Sequence, residues 1–375
     1  MIPLTIGTTV DAPERPAVID GSRFNRHTFW CGQSGSGKTY ALGVVLEQLL
    51  LQTELPMAVL DPNADFVRVS RTREDASAEE RDRFADFDIR VFHSSTRAEP
   101  QLHARYVDLR VRSQAAVGRL DPIADEEEYN ALLHLDKSPG QHFDKQRFLE
   151  MLASSDDPAR QRLGMRIDNL QILEWPLWSF GGASVVDTID ERPRVTVLDV
   201  GGFAHQAEPQ AAALCVLEHL WEKRMERNPL LIVLDEAHNF CPPEPRSSVE
   251  AQLTEQVIQI AAEGRKFGLW LFLSTQRPTK IHPNVLSQCD NLGLMRMNSP
   301  RDLDEIGDVF GFVPQHLLEQ SPTFRKGEAL FAGAFSDEPQ LVRVGRRITV
   351  EGGSDLSVEP HADAAEVGAG AVEAG

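Results

Sequence analysis

Residues 29–39 read Phe29-Trp30-Cys31-Gly32-Gln33-Ser34-Gly35-Ser36-Gly37-Lys38-Thr39. An apolar run ends at Cys31, a glycine-rich loop follows, and a helical pattern of Ala41, Leu42, Val44, Val45, Leu46 and Leu49 begins beyond Thr39. The stretch satisfies GxxxxGK[ST] in the strand, loop and helix context that gives the motif its meaning. Glycines let the backbone turn with its N–H groups inward around phosphate oxygens, beside the positive end of the following helix. Lysine then reaches the β- and γ-phosphates, and the hydroxyl beside it serves a Mg2+ ion. The spacing therefore predicts a cradle for ATP and Mg2+ made of Gly32, Gln33, Ser34, Gly35, Ser36, Gly37, Lys38, Thr39 and Tyr40.

Short apolar runs rich in β-branched and aromatic residues alternate with longer helical patterns, as parallel βαβ units require. Strands are expected at 28–31, 57–60, 89–92, 195–200, 230–234, 269–274 and 291–297, and helices at 38–51, 209–226 and 249–267. The run 230–234 has no polar alternation, which predicts a central strand covered on both faces. Between 115 and 180 the strand signals fade into helical text, and 328–332 with 340–346 reads as a strand pair around a polar turn. The expected organisation is an α/β fold with a mostly parallel sheet and helices on both faces. Residues 1–114 and 181–350 would form its two parts, 115–180 a helical insertion and 351–375 a disordered acidic tail.

A nucleotide hydrolase also needs one acid to hold hydrated Mg2+ and a base to activate water. Leu230-Leu231-Ile232-Val233-Leu234-Asp235-Glu236 offers both at the C-terminal end of a buried strand, where open parallel sheets place ligands. Asp235 is the expected metal-linked residue, alongside Thr39, and Glu236 the general base. Alternation along a strand would point the two carboxylates to opposite sides. Gln276, at the end of the next expected strand, is placed to sense the γ-phosphate or the attacking water. Asp235-Glu236-Ala237-His238 also spells a helicase box, but Ser274-Thr275-Gln276-Arg277-Pro278 is unlike the companion motif and no arginine-glycine motif follows. His238 is thus expected to make a local packing or polar contact.

With 38 basic against 57 acidic residues the formal charge is −19, which excludes a simple basic nucleic-acid binder. Six of the acids fall in 351–375 without a Lys or Arg, leaving −13 on the remainder. A second charged block, 74–88, mixes seven acids with Arg81 and Arg83 and reads as a solvated loop or helix face. The first residues carry no basic and apolar leader, and no apolar stretch approaches the ~20 residues of a membrane span, so a cytoplasmic location is expected. Cys31, Cys215, Cys241 and Cys289 show no ligand spacing and are read as buried apolar residues.

Taken together, Gly32 to Thr39, Leu230 to His238, and Glu263-Gly264-Arg265-Lys266-Phe267-Gly268 leading into Ser274-Thr275-Gln276-Arg277-Pro278 resemble the HerA/FtsK family of ring-forming translocase ATPases. Val59-Leu60-Asp61-Pro62-Asn63-Ala64-Asp65-Phe66 is similar to the family's element after its second strand. Ser287-Gln288-Cys289-Asp290-Asn291 and Gly327-Glu328-Ala329-Leu330 add to the likeness. The resemblance implies a RecA-like P-loop NTPase fold, a homo-hexamer with ATP sites between subunits, and DNA driven through a central channel. It implies Lys38, Glu236 and Gln276 as catalytic residues, with Arg265 or Arg26 as the arginine that reaches a neighbour's γ-phosphate; Arg277, Arg296 and Arg325 stay open for that role. HerA carries an N-terminal barrel that helps dock a nuclease, and only about 25 residues precede the phosphate-loop strand here, so a nuclease partnership is an open expectation. The alternative is a nucleotide-switched ring acting on a protein partner without moving DNA.

Overall fold

The computed structural model describes residues 1–135 and 145–353. Its sheet contains β1 (Pro3–Thr9), β2 (Pro16–Asp20), β3 (His27–Cys31), β4 (Met57–Asp61), β5 (Ile89–His93), β6 (Val195–Asp199), β7 (Leu230–Leu234), β8 (Leu269–Thr275), β9 (Cys289–Met295), β10 (Glu328–Gly333) and β11 (Gln340–Val344). They are ordered β2-β1-β11-β10-β9-β3-β8-β7-β4-β6-β5. Every pair from β9 to β5 is parallel, and every pair from β9 to β2 is antiparallel. The phosphate-loop strand β3 lies between β8 and β9, so β8 separates it from β7, which leads to Asp235.

The parallel strands β3, β4, β6 and β7 are buried at every position, which explains the unbroken apolar text of β7 and the mostly apolar text of the others. Helix α1 (Lys38–Gln52) covers one face, packing Ala41, Leu42, Val45, Leu46 and Leu49 against Trp30, Val59 and Phe272. A short helix, α2 (Ala78–Ala85), lies in the charged block and starts at a capping box in which Ser77 and Glu80 bond each other's backbone N–H. The region 111–190 holds α3 (Val111–Val117), α4 (Glu126–Leu133), α5 (Lys145–Ala153), α6 (Pro158–Asn169) and α7 (Val185–Asp190). With α8 (Glu208–Glu222) and α9 (Ser248–Glu263) these helices share the core on the opposite face of the sheet.

All seven expected core strands are present, β7 with the expected bounds and the other six with shifted ends. β9 spans Cys289–Met295 and not 291–297, because Met297 N–H leaves the ladder for the Ser321 hydroxyl. The helices expected to reach 226 and 267 tighten into 3₁₀ turns at Lys223–Glu226 and Gly264–Phe267. β1 and β2 were not expected: they pair antiparallel beyond β11, and β1 carries Gly7 at a shift in register, which blurs the alternation. All four cysteines are buried and free. Among the described residues no helix is long and apolar enough to cross a membrane. The expected acidic tail lies almost wholly outside the described residues.

Candidate functional site

The site is built at the C-terminal ends of the parallel strands. Gly32 N–H donates back to Thr275 O and Gln33 N–H to Arg296 O, so the loop leaves β3 tied to the strands on either side. Gly35 and Gly37 have φ of +73° and +93°, a region that side chains disfavour. At Gly32 a Cβ would lie 2.7 Å from Met295 Cβ and 2.8 Å from Ser36 Oγ. Helix α1 starts at Gly37 without a side-chain cap, leaving its first N–H groups for an anion. Ser36 Oγ is buried in the same loop without a hydrogen-bond partner.

Lys38 is 5% exposed, and its Nζ lies 3.1 Å from Asp235 Oδ1, 3.2 Å from Glu236 Oε1 and 2.9 Å from Ser274 Oγ. Burial alone would favour the neutral amine, but the two carboxylates outweigh it and raise its proton affinity. Contrary to simple alternation, Asp235 and Glu236 both turn toward Lys38. β7 ends at Leu234, and Glu236 takes a left-handed backbone with φ of +46°, which swings its side chain back beside its neighbour. Glu236 also accepts from Gln276 Nε2 at 2.8 Å and stands 3.3 Å from His238 Nδ1. Burial pushes its carboxyl up, but His238, Lys38 and Gln276 together hold it at about 2. His238 Nδ1 lies 3.0 Å from Thr275 Oγ1, so it orients the strand end as well as the carboxylate.

The end of β4 and the loop after it supply two acids whose role was not read from the sequence. Asp61 fastens that loop by accepting from the N–H groups of Asn63, Asp65 and Phe66. One carboxylate oxygen from each of Asp61, Asp65 and Asp235 lies within 4.8 Å of the others. Thr39 Oγ1 is 3.5 Å from Asp65 Oδ2. Burial first, and the neighbouring carboxylates second, raise Asp61 to about 7 and Asp65 to about 6. Asp235 Oδ2 is buried with no hydrogen-bond partner. Hard oxygen donors, crowded negative charge and an orphaned acceptor fit a Mg2+ ion, with Thr39 and Asp235 joined by Asp65. The legible signal was an Asp-Pro pair ending a buried strand, with a second Asp four residues on.

Not every expected residue converges here. Tyr40 follows the cradle, but its hydroxyl accepts from Arg347 N–H at 2.8 Å, turning the side chain toward the C-terminal segment. Arg265 sits before β8 and pairs with Asp290 at 2.6 Å; Arg26, before β3, is 3.8 Å from the same carboxylate. Both therefore lie at the opposite end of the sheet from Lys38, about a strand's length of ~20 Å away. Neither can reach the phosphate loop of its own chain. Arg296 touches that loop through its backbone oxygen.

A sequence profile described as "Helicase HerA, central domain" matches residues 4–174. The probable DNA double-strand break repair helicase HerA of Methanocaldococcus jannaschii is 33% identical over 130 residues, 35% of this chain and 25% of that protein. The DNA double-strand break repair helicase HerA of Pyrococcus furiosus is 34% identical over 116 residues, 31% and 20% respectively. The chain thus spans about a fifth to a quarter of the length of these relatives. Among solved structures, VirB4 of Thermoanaerobacter pseudethanolicus superposes with a TM-score of 0.58 at 15% identity, covering 91% of this chain and 96% of that one. The bacterial conjugative coupling protein TrwB gives 0.55 at 12% identity, covering 91% and 88%. The chain shares the fold of these two proteins, and the resemblance to HerA read from its motifs is matched by the profile over residues 4–174 and by relatives about a third identical over about a third of the chain.

Proposed function

From a HerA-like chain with a RecA-like fold, we infer an ATP hydrolase that works as a ring, most simply a homo-hexamer, and drives DNA through its centre. The observation that carries this reading is the convergence on Lys38 of Asp235, Glu236 and Ser274, with Gln276 bonded to Glu236. The open N–H groups of α1 and the loop hold the phosphates, and Lys38 exchanges its carboxylate partners for the β- and γ-phosphates. That exchange frees Glu236 to take a proton from water, which Gln276 orients. Mg2+ on Thr39, Asp235 and Asp65 would neutralise charge on the phosphates. Arg265, remote from its own loop, acts in this reading on a neighbouring subunit.

DNA-stimulated turnover tests the reading. Purified protein should hydrolyse ATP faster with DNA at low salt, and Lys38→Ala should lose nucleotide binding. Absence of ATP binding by the wild-type chain sinks the hydrolase; turnover indifferent to single- and double-stranded DNA removes the translocase.

A second reading, a nucleotide-switched ring that acts on a protein partner such as a nuclease, draws on the −19 charge. Phosphate binding rests largely on Lys and Arg, so an acidic chain must confine its DNA contacts to a local basic channel. Co-purification of a partner with ATPase blind to DNA favours this second reading.

A further inference from the structure

Residues 345–353 run past β11 as a strap between α1 and the segment 61–73. Arg73 N–H donates to Ile348 O, Val350 N–H to Arg71 O, and Gly352 N–H to Asp65 O. The strap's fit leaves no room for added atoms: a Cβ on Gly352 would lie 1.9 Å from Ala64 O, and one on Gly353 would lie 2.7 Å from Asp65 Oδ1. On the α1 side, Glu47 accepts from Ile348 N–H, Thr349 N–H and the Thr349 hydroxyl.

At the centre of this strap is Arg347, whose side chain is 0% exposed. Its Nε lies 3.6 Å from Glu47 Oε1 and 3.4 Å from Thr349 Oγ1, and its Nη1 is 3.5 Å from Glu351 Oε1. Neither Nη1 nor Nη2 makes a hydrogen bond. One side of the guanidinium meets α1 at Gly43, where a Cβ would stand 2.5 Å from Nε, and its Cζ is 5.6 Å from the centre of the Phe66 ring. Burying an under-bonded guanidinium is costly, so packing alone is a poor reason for an arginine at this position. Phe66 directly follows Asp65, whose backbone oxygen accepts from Gly352 N–H in the same strap.

We propose that Arg347 is a positioning residue for the nucleotide site. Wedged between Gly43 and Phe66, it fixes the loop that carries Asp61 and Asp65 at the distance from Thr39 that a divalent ion needs. The strap thereby ties the C-terminal segment to the metal carboxylates, and it does so without touching the nucleotide. The inference rests on the reading of the site as a metal-nucleotide cradle.

The test compares wild type, Arg347→Met and Arg347→Lys by Mn2+ titration in the presence of a non-hydrolysable ATP analogue, by analogue binding in EDTA, and by amide hydrogen exchange without ligand. Arg347→Met should lose about 10-fold in Mn2+ affinity while binding the analogue in EDTA like wild type. Its residues 61–73 should exchange faster while β3 and β7 stay protected, and Arg347→Lys should recover part of both effects. Unchanged Mn2+ affinity, or an equal fall with and without metal, overturns the proposal. If Arg347→Met does not fold, Phe66→Leu, which removes the ring facing the guanidinium, should lower Mn2+ affinity about 3-fold; no change would overturn the idea equally. A wild-type chain that binds no nucleotide defeats the functional reading and, with it, the inference; a wild-type chain that binds the analogue while Arg347→Met shows unchanged Mn2+ affinity or unchanged exchange at 61–73 defeats the inference alone.

Discussion

The two ends of the parallel strands are made of similar residue types and do opposite things with them. At the N-terminal ends, His27 is buried and satisfied on both sides: Nε2 lies 2.9 Å from Ala261 O and Nδ1 accepts from Leu271 N–H at 2.9 Å. Beside it, Arg265 and Asp290 form a partly exposed pair. At the C-terminal ends, Asp61, Asp65, Asp235, Glu236 and Lys38 crowd together, and both Ser36 Oγ and Asp235 Oδ2 are left without partners. A satisfied buried group is what a fold needs; an unsatisfied one in a charged cluster is what a ligand site needs. Charge by itself does not distinguish the two ends, and neither do orphaned atoms alone, since Trp270 Nε1 and Arg194 Nε are unpaired at the N-terminal ends; what marks the C-terminal ends is orphaned atoms inside a cluster of charged groups.

The sharpest way to break this contrast is at Glu236. Glu236→Gln keeps the shape of the side chain while removing the base, so turnover should fall by about 10²- to 10⁴-fold with ATP binding retained. Measured turnover at the wild-type rate would move the general base elsewhere.

The acidic cluster of Asp61, Asp65 and Asp235 comes next. In thermal melts with ATP analogue, added Mg2+ should raise the Tm of the wild-type chain, because an ion that binds only the folded state stabilises it by mass action. Asp65→Asn should need about 10- to 100-fold more Mg2+ for the same shift. An identical Mg2+ response in that variant would take Asp65 out of the site.

At the opposite end the expected effect is on folding. Burial first, and the charge of Arg265 second, lower His27 from 6.5 to about 4. The unfolded chain therefore takes up its proton at a higher pH than the folded one. The contribution to stability is complete above pH 6.5 and is lost as the pH falls toward 4, by about 3 kcal/mol in all. Denaturant unfolding between these values should show that slope, and His27→Gln should lack it.

The smallest stability effect belongs to Arg265. Its partly exposed pair with Asp290 contributes no more than about 1 kcal/mol, so Arg265→Ala should melt nearly like wild type. If Arg265 serves a neighbouring subunit, the assembled variant should nonetheless hydrolyse ATP far more slowly. Unaltered turnover in the assembled variant would return Arg265 to a purely structural role.

Much of this contrast was legible in advance. The cradle, Lys38, Thr39, Asp235, Glu236 and Gln276 were named from spacing and strand context, because each sits next to a strand whose apolar text is unmistakable. Asp61 and Asp65 were seen only as part of a family-like phrase, since an acid after a strand is common and nothing local marks it as facing another acid across the sheet. His238 was expected to make a local contact, and its place between Thr275 and Glu236 follows from a turn that reverses the alternation. Arg347 gave no signal at all. Its burial depends on Gly43, Phe66 and Glu47, none of them its neighbours in sequence.

By itself the sequence determined the glycine-rich loop between β3 and α1 and the alternation of strands and helices. Both are local: eight consecutive residues shape the loop, and apolar periodicity shapes each element. Only the tertiary structure decided which carboxylates meet. Parallel strands are joined by long crossovers, so residues 38, 61, 65, 235, 276 and 347 come together through the strand order and register of the sheet and the packing of the strap on α1, which no stretch of chain encodes alone.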